Sequence, residues 1–556
     1  MEEEKVVKVA VIGSGLAGLT AAYLLTKGDI ESKQPIKFEV HLFEKNEMIG
    51  MDAASITIDN DKDIRIDVPM RSFMSGYYSH LTKLYQHLGI TSKPAKFSFG
   101  WYTVESPSPA SSPASSSPPS PPPERDIISW TNNTSYLTYS GSKTIGRLHI
   151  PSSTTTKNDT TNDYMTQLFS SWWIMLTVAF SYTWLMVNTL WLHYRGHLRN
   201  PHHPIANMTL GQWFQQVHIQ PYFIHHVFIP LFAAVCTNSW KAMLEYPATE
   251  VLEYMAMGLF QESYVVTQGV RQVVEKLAKP ISHIHLNTCI QSIQPKNGQQ
   301  QYGGGEEKGY ILTDEKGNIY ECDHLIFATQ ANQAYDMLKQ CYNENSNSNN
   351  ESFLTGLKQQ MAMLKKFNYD KSLVINHTDS RLLPSDKNQW RALNLAKVNE
   401  NVPTYGKWIV PFPYDTTMTT HIINMTHSST KYHHPQQNQL YLQTTNPCID
   451  IDPKYILSVS WFERATVTLD SKKAIEQDLF PMKSKSDREE KNMDGKHEGH
   501  DDQITLGPCQ GLNGIWFVGS YCWRGIPLLE GCVASSEKVV LHGIALSEGV
   551  LMKKPW

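Results

Sequence analysis

Residues 8–25 read KVAVIGSGLAGLTAAYLL. Val9 to Ile12 form a short unbroken apolar run, as a strand covered on both faces requires. Gly13, Gly15 and Gly18 follow with the spacing G-x-G-x-x-G, and Leu16 to Leu25 continue as an apolar helix. Each glycine has its own task. Gly13 permits the tight strand-to-helix turn, Gly15 lets a pyrophosphate approach the backbone, and Gly18 lets the helix pack hard on the strand. The helix start then aims free N–H groups and a positive dipole end at the phosphates. Ser14, Leu16 and Ala17 complete the segment expected to cradle them.

The spacing alone is weak evidence, but here it sits in a strand–turn–helix context with an acidic partner downstream. Val40 to Phe43 reads as the second strand, and Glu44-Lys45 ends it, where a carboxylate would bind a ribose hydroxyl.

The bulk properties suit a large core. The chain has 556 residues and a formal net charge of −4, so no basic footprint suggests nucleic acid. Its eight cysteines form no C-x-x-C pair, which argues against a disulfide scaffold or a zinc module. MEEEK leads straight into the first strand, without the pattern of a secretory signal, so the protein is expected not to be secreted.

Four stretches lack the apolar content of a core: 105–123, 152–163, 343–352 and 483–502. They are expected to be solvated insertions, the first a Ser/Pro-rich disordered loop. Between them, 210–242 reads helical with a break or kink at Pro230, 247–259 reads as a helix, and 268–277 as an amphipathic helix. Residues 284–293 alternate like one strand, 310–312 and 318–322 like a hairpin, and 324–329 like a buried strand. Further strands are expected at 372–376, 421–425 and 455–461.

Several of these blocks together resemble a known family. Gly50-Met51 stands where a Gly-Gly pair follows the acidic residue, and Arg71-Ser72 follows in Ile66–Phe73. Near the end come Gly514 to Tyr521 and Gly525 to Ser535. The set resembles the flavin-containing amine oxidase and desaturase superfamily, in particular fungal proteins described as amine-oxidase-like or NAD/FAD-binding. The resemblance implies an α/β fold: a Rossmann-like FAD-binding domain interleaved with an α+β substrate domain. It implies FAD-domain parts at 1–100, 266–335 and 510–550 and a substrate-domain sheet at 355–470. Composition sets the disordered inserts at 105–163 and 483–503, and the helical, membrane-associating region is expected at 165–265. Beside the glycine turn, Glu44 and Lys45, the resemblance assigns Gly50, Met51, Arg71, Ser72, Ile290, Ala328, Thr329, Gly519, Ser520, Glu530, Gly531, Cys532 and Val533 to the cofactor. Ile290 would lie near the adenine, and a second helix start near Glu530 would approach the flavin.

The implied activity is FAD-dependent oxidation of an organic substrate, with an apolar lipid or isoprenoid-like molecule favoured and an amine as the alternative. No catalytic acid or base presents itself, and the lysine typical of many amine oxidases has no clear counterpart. A flavin-free escort protein of the same fold is the other alternative. His193, His197, His202 and His203 outline a di-iron pattern without its companion clusters, so no metal is expected.

Residues 165–192 contain no charge and are long enough to cross a bilayer. Yet the glycine turn precedes this segment and the closing motif follows it, and both must build one site. A buried or monotopic helix is therefore expected, with peripheral membrane contact on the cytoplasmic side. Lys553-Lys554 fits a dilysine signal for retrieval to the endoplasmic reticulum.

Overall fold

The computed structural model describes residues 4–32, 34–58, 65–104, 134–140, 148–150, 161–296, 309–346, 350–398, 416–426, 439–482 and 504–556. The Ser/Pro-rich stretch, most of 152–163 and 483–502 lie outside them.

The apolar run becomes strand β1, Lys5–Ile12, and the glycine turn leads into helix α1, Leu16–Lys27. β1 is the centre of a five-stranded parallel sheet. Strand 36–43 and then 283–285 lie on one side, and 324–327 and then 515–517 on the other. In chain order this is 3-2-1-4-5, the arrangement of a doubly wound dinucleotide fold. Residues from both ends of the chain meet here, since 515–517 closes one edge. The three-stranded antiparallel sheet 290–295, 310–314 and 319–322 adjoins the parallel one through the ring contacts of Tyr320 with Phe43 and His285.

An eight-stranded mixed sheet forms the second body. Strands 368–377 and 456–466 pair along ten positions at one end, and 99–104 pairs in parallel with 393–398 near the other. The helices of 210–258 cover it, and Trp101, Leu137 and Leu395 join their apolar cluster. The molecule is thus mixed α/β, with a Rossmann-like domain interleaved with an α+β body.

Several expectations need correction. The proposed disordered insert 105–163 contains strands 134–139 and 148–149 of the large sheet. Strand Phe99–Val104 belongs to that sheet too, so the first cofactor-domain segment ends before residue 99 rather than at 100. The Asn/Ser run at 343–352 is flanked by helices 331–344 and 351–364, which reach into it. Pro230 breaks nothing: a π-turn at 224–228 leads into helix 229–236, and the wider turn accommodates a residue with no N–H to donate. The chain breaks earlier, at His218, with its positive φ of 56°. Residues 284–293 are two strands of different sheets, divided at Asn287, whose φ is 48°. Residues 423–426 turn helical after strand 418–422.

Candidate cofactor-binding site

At the carboxyl end of β1 the glycines behave as their spacing predicts. Gly13 has φ 104°, and a Cβ there would lie 2.9 Å from the Ala328 carbonyl oxygen. A Cβ on Gly18 would lie 1.9 Å from the Gly13 oxygen and 3.1 Å from Cβ of Ala328, so α1 rests directly on the turn. Gly15 is the contrast: nothing lies within 4 Å of a Cβ built there. The two packing glycines are enclosed, while the phosphate glycine faces open space.

Glu44 ends strand 36–43 and is buried. Its Oε2 accepts hydrogen bonds from the amide (3.2 Å) and hydroxyl of Ser14. Oε1 accepts from the backbone N–H and side-chain amide of Asn46, at 3.0 and 2.8 Å. The Ser14 hydroxyl in turn accepts from the Gly50 N–H at 2.7 Å. Gly50 fits tightly, since a Cβ would come to 3.1 Å from the Gly15 nitrogen. Lys45 is exposed and turns away from this network. Met51 is buried, and its carbonyl accepts from Arg71 Nη2 at 3.0 Å.

Among the described residues, five arginines, Arg65, Arg71, Arg391, Arg464 and Arg524, have a buried Nε without a partner. Burial, reinforced by the charge of Arg71, lowers the Arg464 pKa to about 10, so the two cations feel one another. Burial also pushes the Cys532 thiol up to about 11, against the opposing pull of Arg71. Arg71 is thus electrostatically coupled to both Arg464 and Cys532. Buried donors of this kind are usually satisfied, and unmet cationic ones suit an anionic or carbonyl-rich ligand.

The closing motif packs against the same turn. Ser536 of helix 529–539 donates to the Ala17 carbonyl at 2.8 Å, tying that helix to α1. Gly519 has φ 155° and donates its N–H to Ser535 at 3.1 Å. A Cβ on Gly531 would lie 2.9 Å from the Ser520 oxygen. Cys532 is hydrogen-bonded with Ser520. Leu16 and Ala17 are buried under the turn, and Ala328-Thr329 abuts Gly13.

Three assigned residues sit differently. Glu530 does not face the turn. It accepts from the His80 and Leu81 amides, at 2.8 and 2.9 Å, and from Ser79, capping helix α2, Ser79–His87. Burial raises its pKa, and His80 with these amides opposes the rise. Val533 is completely buried in the core, so its side chain reaches no ligand. Ile290 starts the antiparallel sheet, whereas Glu44 and Asn46 exchange backbone bonds with His285, Asn287 and Thr288. Ser72 is half-buried next to Arg71.

Sequence reasoning missed Arg464 and the orphaned Tyr521 hydroxyl. Arg464 lies on strand 456–466, whose alternation gave no warning of an inward cation. Among the histidines singled out, His197 stacks on His203 at 4.3 Å, and His203 accepts from the Ile205 N–H at 3.3 Å. Ligand atoms of Glu39, His41 and His283 lie within 4.8 Å of one another. His41 is already bonded to both Glu39 and His285, at 3.0 Å each.

A cavity of about 160 Å³ opens elsewhere, between helix 248–258, the start of α2 and residues 523–525. Glu250, Glu253, Glu476, Lys472 and Arg524 line it, so it is charged rather than apolar.

A family model described as an NAD(P)-binding Rossmann-like domain matches residues 11–88. No curated protein matches the chain. Among solved structures, wild-type putrescine oxidase bound to putrescine is 11% identical, over 97% of this chain and 99% of that one, with a TM-score of 0.49. An oxidoreductase from Methanosarcina mazei is 11% identical, over 96% and 99%, with a TM-score of 0.49. A CLA-producing fatty acid isomerase from P. acnes is 12% identical, over 96% and 98%, also at 0.49. Similarity this slight carries no argument about activity, and nothing in these matches singles out fungal proteins. The match at 11–88 takes in the end of β1, the glycine turn, Glu44, Arg71 and α2, and it makes this part of the chain similar to NAD(P)-binding Rossmann-like domains.

Proposed function

We propose that the cradle holds FAD and that the protein is an FAD-dependent oxidoreductase. The observation that carries this reading is the open ground over Gly15 at the start of α1, with the Glu44 carboxylate held at the turn by Ser14. A dinucleotide fits that set. Its pyrophosphate would lie against the Gly13–Gly18 turn and the amino end of α1, and Glu44 would exchange Ser14 or Asn46 for ribose hydroxyls. Arg71 would hold negative charge at the cofactor through its free Nε. Cys532 and Ser520 place backbone near the same region, at the start of helix 529–539.

When bound, the flavin supplies the acceptor for a hydride equivalent taken from the substrate. The chain's own contribution is to bind, orient and desolvate. Arg464 lies in strand 456–466 of the large sheet, where burial and the charge of Arg71 lower its pKa to about 10. For the substrate we favour an apolar, lipid-like molecule. An amine is the alternative, as is a flavin-free escort role.

A nicotinamide dinucleotide is a second reading, favoured by the family model at 11–88. The visible spectrum of the purified protein tests both. Flavin bands that persist through gel filtration support FAD. Their absence, together with saturable binding of NADH or NADPH, overturns it.

A further inference from the structure

Helix α3, Thr161–Tyr194, leaves one long face bare. Its inner side, with Val178, Ser181, Leu185, Thr189 and Leu192, is buried, and the apolar members join the helical core cluster. On the outer side Phe169, Trp173, Leu176, Phe180, Val187 and Trp191 are between 53% and 72% exposed. Their spacings of three, four and seven put them on one line down the helix. From Phe169 to Trp191 that line is roughly 33 Å long. Soluble monomers rarely leave so long an apolar strip uncovered.

We propose that this face lies flat in the interfacial layer of a lipid bilayer and holds the protein on the membrane as a monotopic protein. Segment 169–194 is long and apolar enough to cross a membrane, but its inner face belongs to the core. Crossing would strip that packing. It would also part β1 from strand 515–517, which share one sheet.

Composition and charge select the occupant. Trp172, Trp173, Trp184 and Trp191 give the face an indole-rich character suited to the head-group boundary. A helix from a second copy would need charges beside the strip to set its register. Ser170, Thr177 and Asn188 flank one side, Ala179 and Leu190 the other, and none is charged. Just past the strip, Arg195 is exposed, where it complements anionic head groups. Phe260, which is 82% exposed, follows helix 248–258, and that helix packs on α3.

The test is flotation of the full-length protein with phosphatidylcholine vesicles, alone or mixed with phosphatidylserine. Wild type floats with both and binds more strongly when phosphatidylserine is present. The double variant Trp173→Ser/Phe180→Ser, which removes only exposed groups, lowers the partition coefficient about tenfold or more. Its thermal midpoint and cofactor content match wild type. Wild type that stays at the bottom with both vesicles overturns the proposal. So does a wild-type dimer in sedimentation that the variant abolishes without any vesicle binding, which would make the face a contact between copies.

Discussion

The carboxylate of Glu44 is held by the amide and hydroxyl of Ser14, thirty residues earlier in the chain, while the same hydroxyl accepts from Gly50. Strand end, glycine turn and following loop are thereby locked to one another, and the acid is placed at the mouth of the turn. Glu44→Ala removes four accepted hydrogen bonds. It is expected to weaken FAD binding and to cost about 1–3 kcal/mol of stability, because Ser14 and Asn46 lose their acceptor. Calorimetric unfolding with and without added FAD measures both effects.

Gly15 and Gly18 separate binding from folding. Gly15→Val projects into open space and is expected to change apo stability by less than about 1 kcal/mol while abolishing flavin retention. Gly18→Val drives a side chain into the Gly13 carbonyl and is expected to cost more than about 2 kcal/mol. Thermal unfolding and bound-flavin absorbance of the two variants together check the contrast.

Arg71 and Arg464 are expected to act on one ligand. Arg71→Ala removes a charged donor and should weaken FAD about 10- to 100-fold. Arg464→Met relieves the repulsion between the two cations in the apo protein, so its thermal midpoint should hold or rise. A double-mutant cycle on FAD affinity reads the coupling. Strict additivity would place the two arginines in separate sites.

Glu548 ties the carboxyl-terminal helix to the parallel sheet through His324 (2.8 Å) and Lys5 (2.6 Å). The bond from His324 is the main cause that lowers its pKa from 4.5 to about 2. A depressed carboxyl pKa stabilises the fold above the unfolded value, and that stabilisation is lost as pH falls toward the folded one. Lys5 is largely exposed, so after allowance for solvent screening the contribution is about 1–2 kcal/mol. Glu548→Gln should therefore be less stable than wild type at pH 6. The gap should close between about pH 4.5 and 2, as followed by urea unfolding across that range.

The parts legible in the sequence were those set by local spacing. Gly13, Gly15 and Gly18 are constrained by one turn, and Glu44 by the end of one strand, so a short window contains the whole requirement. Gly50 was legible for the same reason. The misplaced parts depend on distant partners. Glu530 caps α2 across 450 residues of chain, a relationship no window around it displays. Residues 284–293 read as one strand because the bend at Asn287 has no strong local signal. Strand 134–139 was hidden because low-complexity sequence surrounds it and its pairing with 99–104 and 148–149 defines it. Arg464 owes its significance to burial against Arg71, which appears only when the sheet and the cradle are brought together.

The central claim is that the glycine turn and its neighbours hold FAD. Titration of the deflavinated protein with FAD, followed through flavin fluorescence and run in parallel on Gly15→Val, tests it most directly. The account predicts saturation at one FAD per chain for wild type and no saturable binding for Gly15→Val. Absence of binding to the wild type, or equal binding to both proteins, would contradict it.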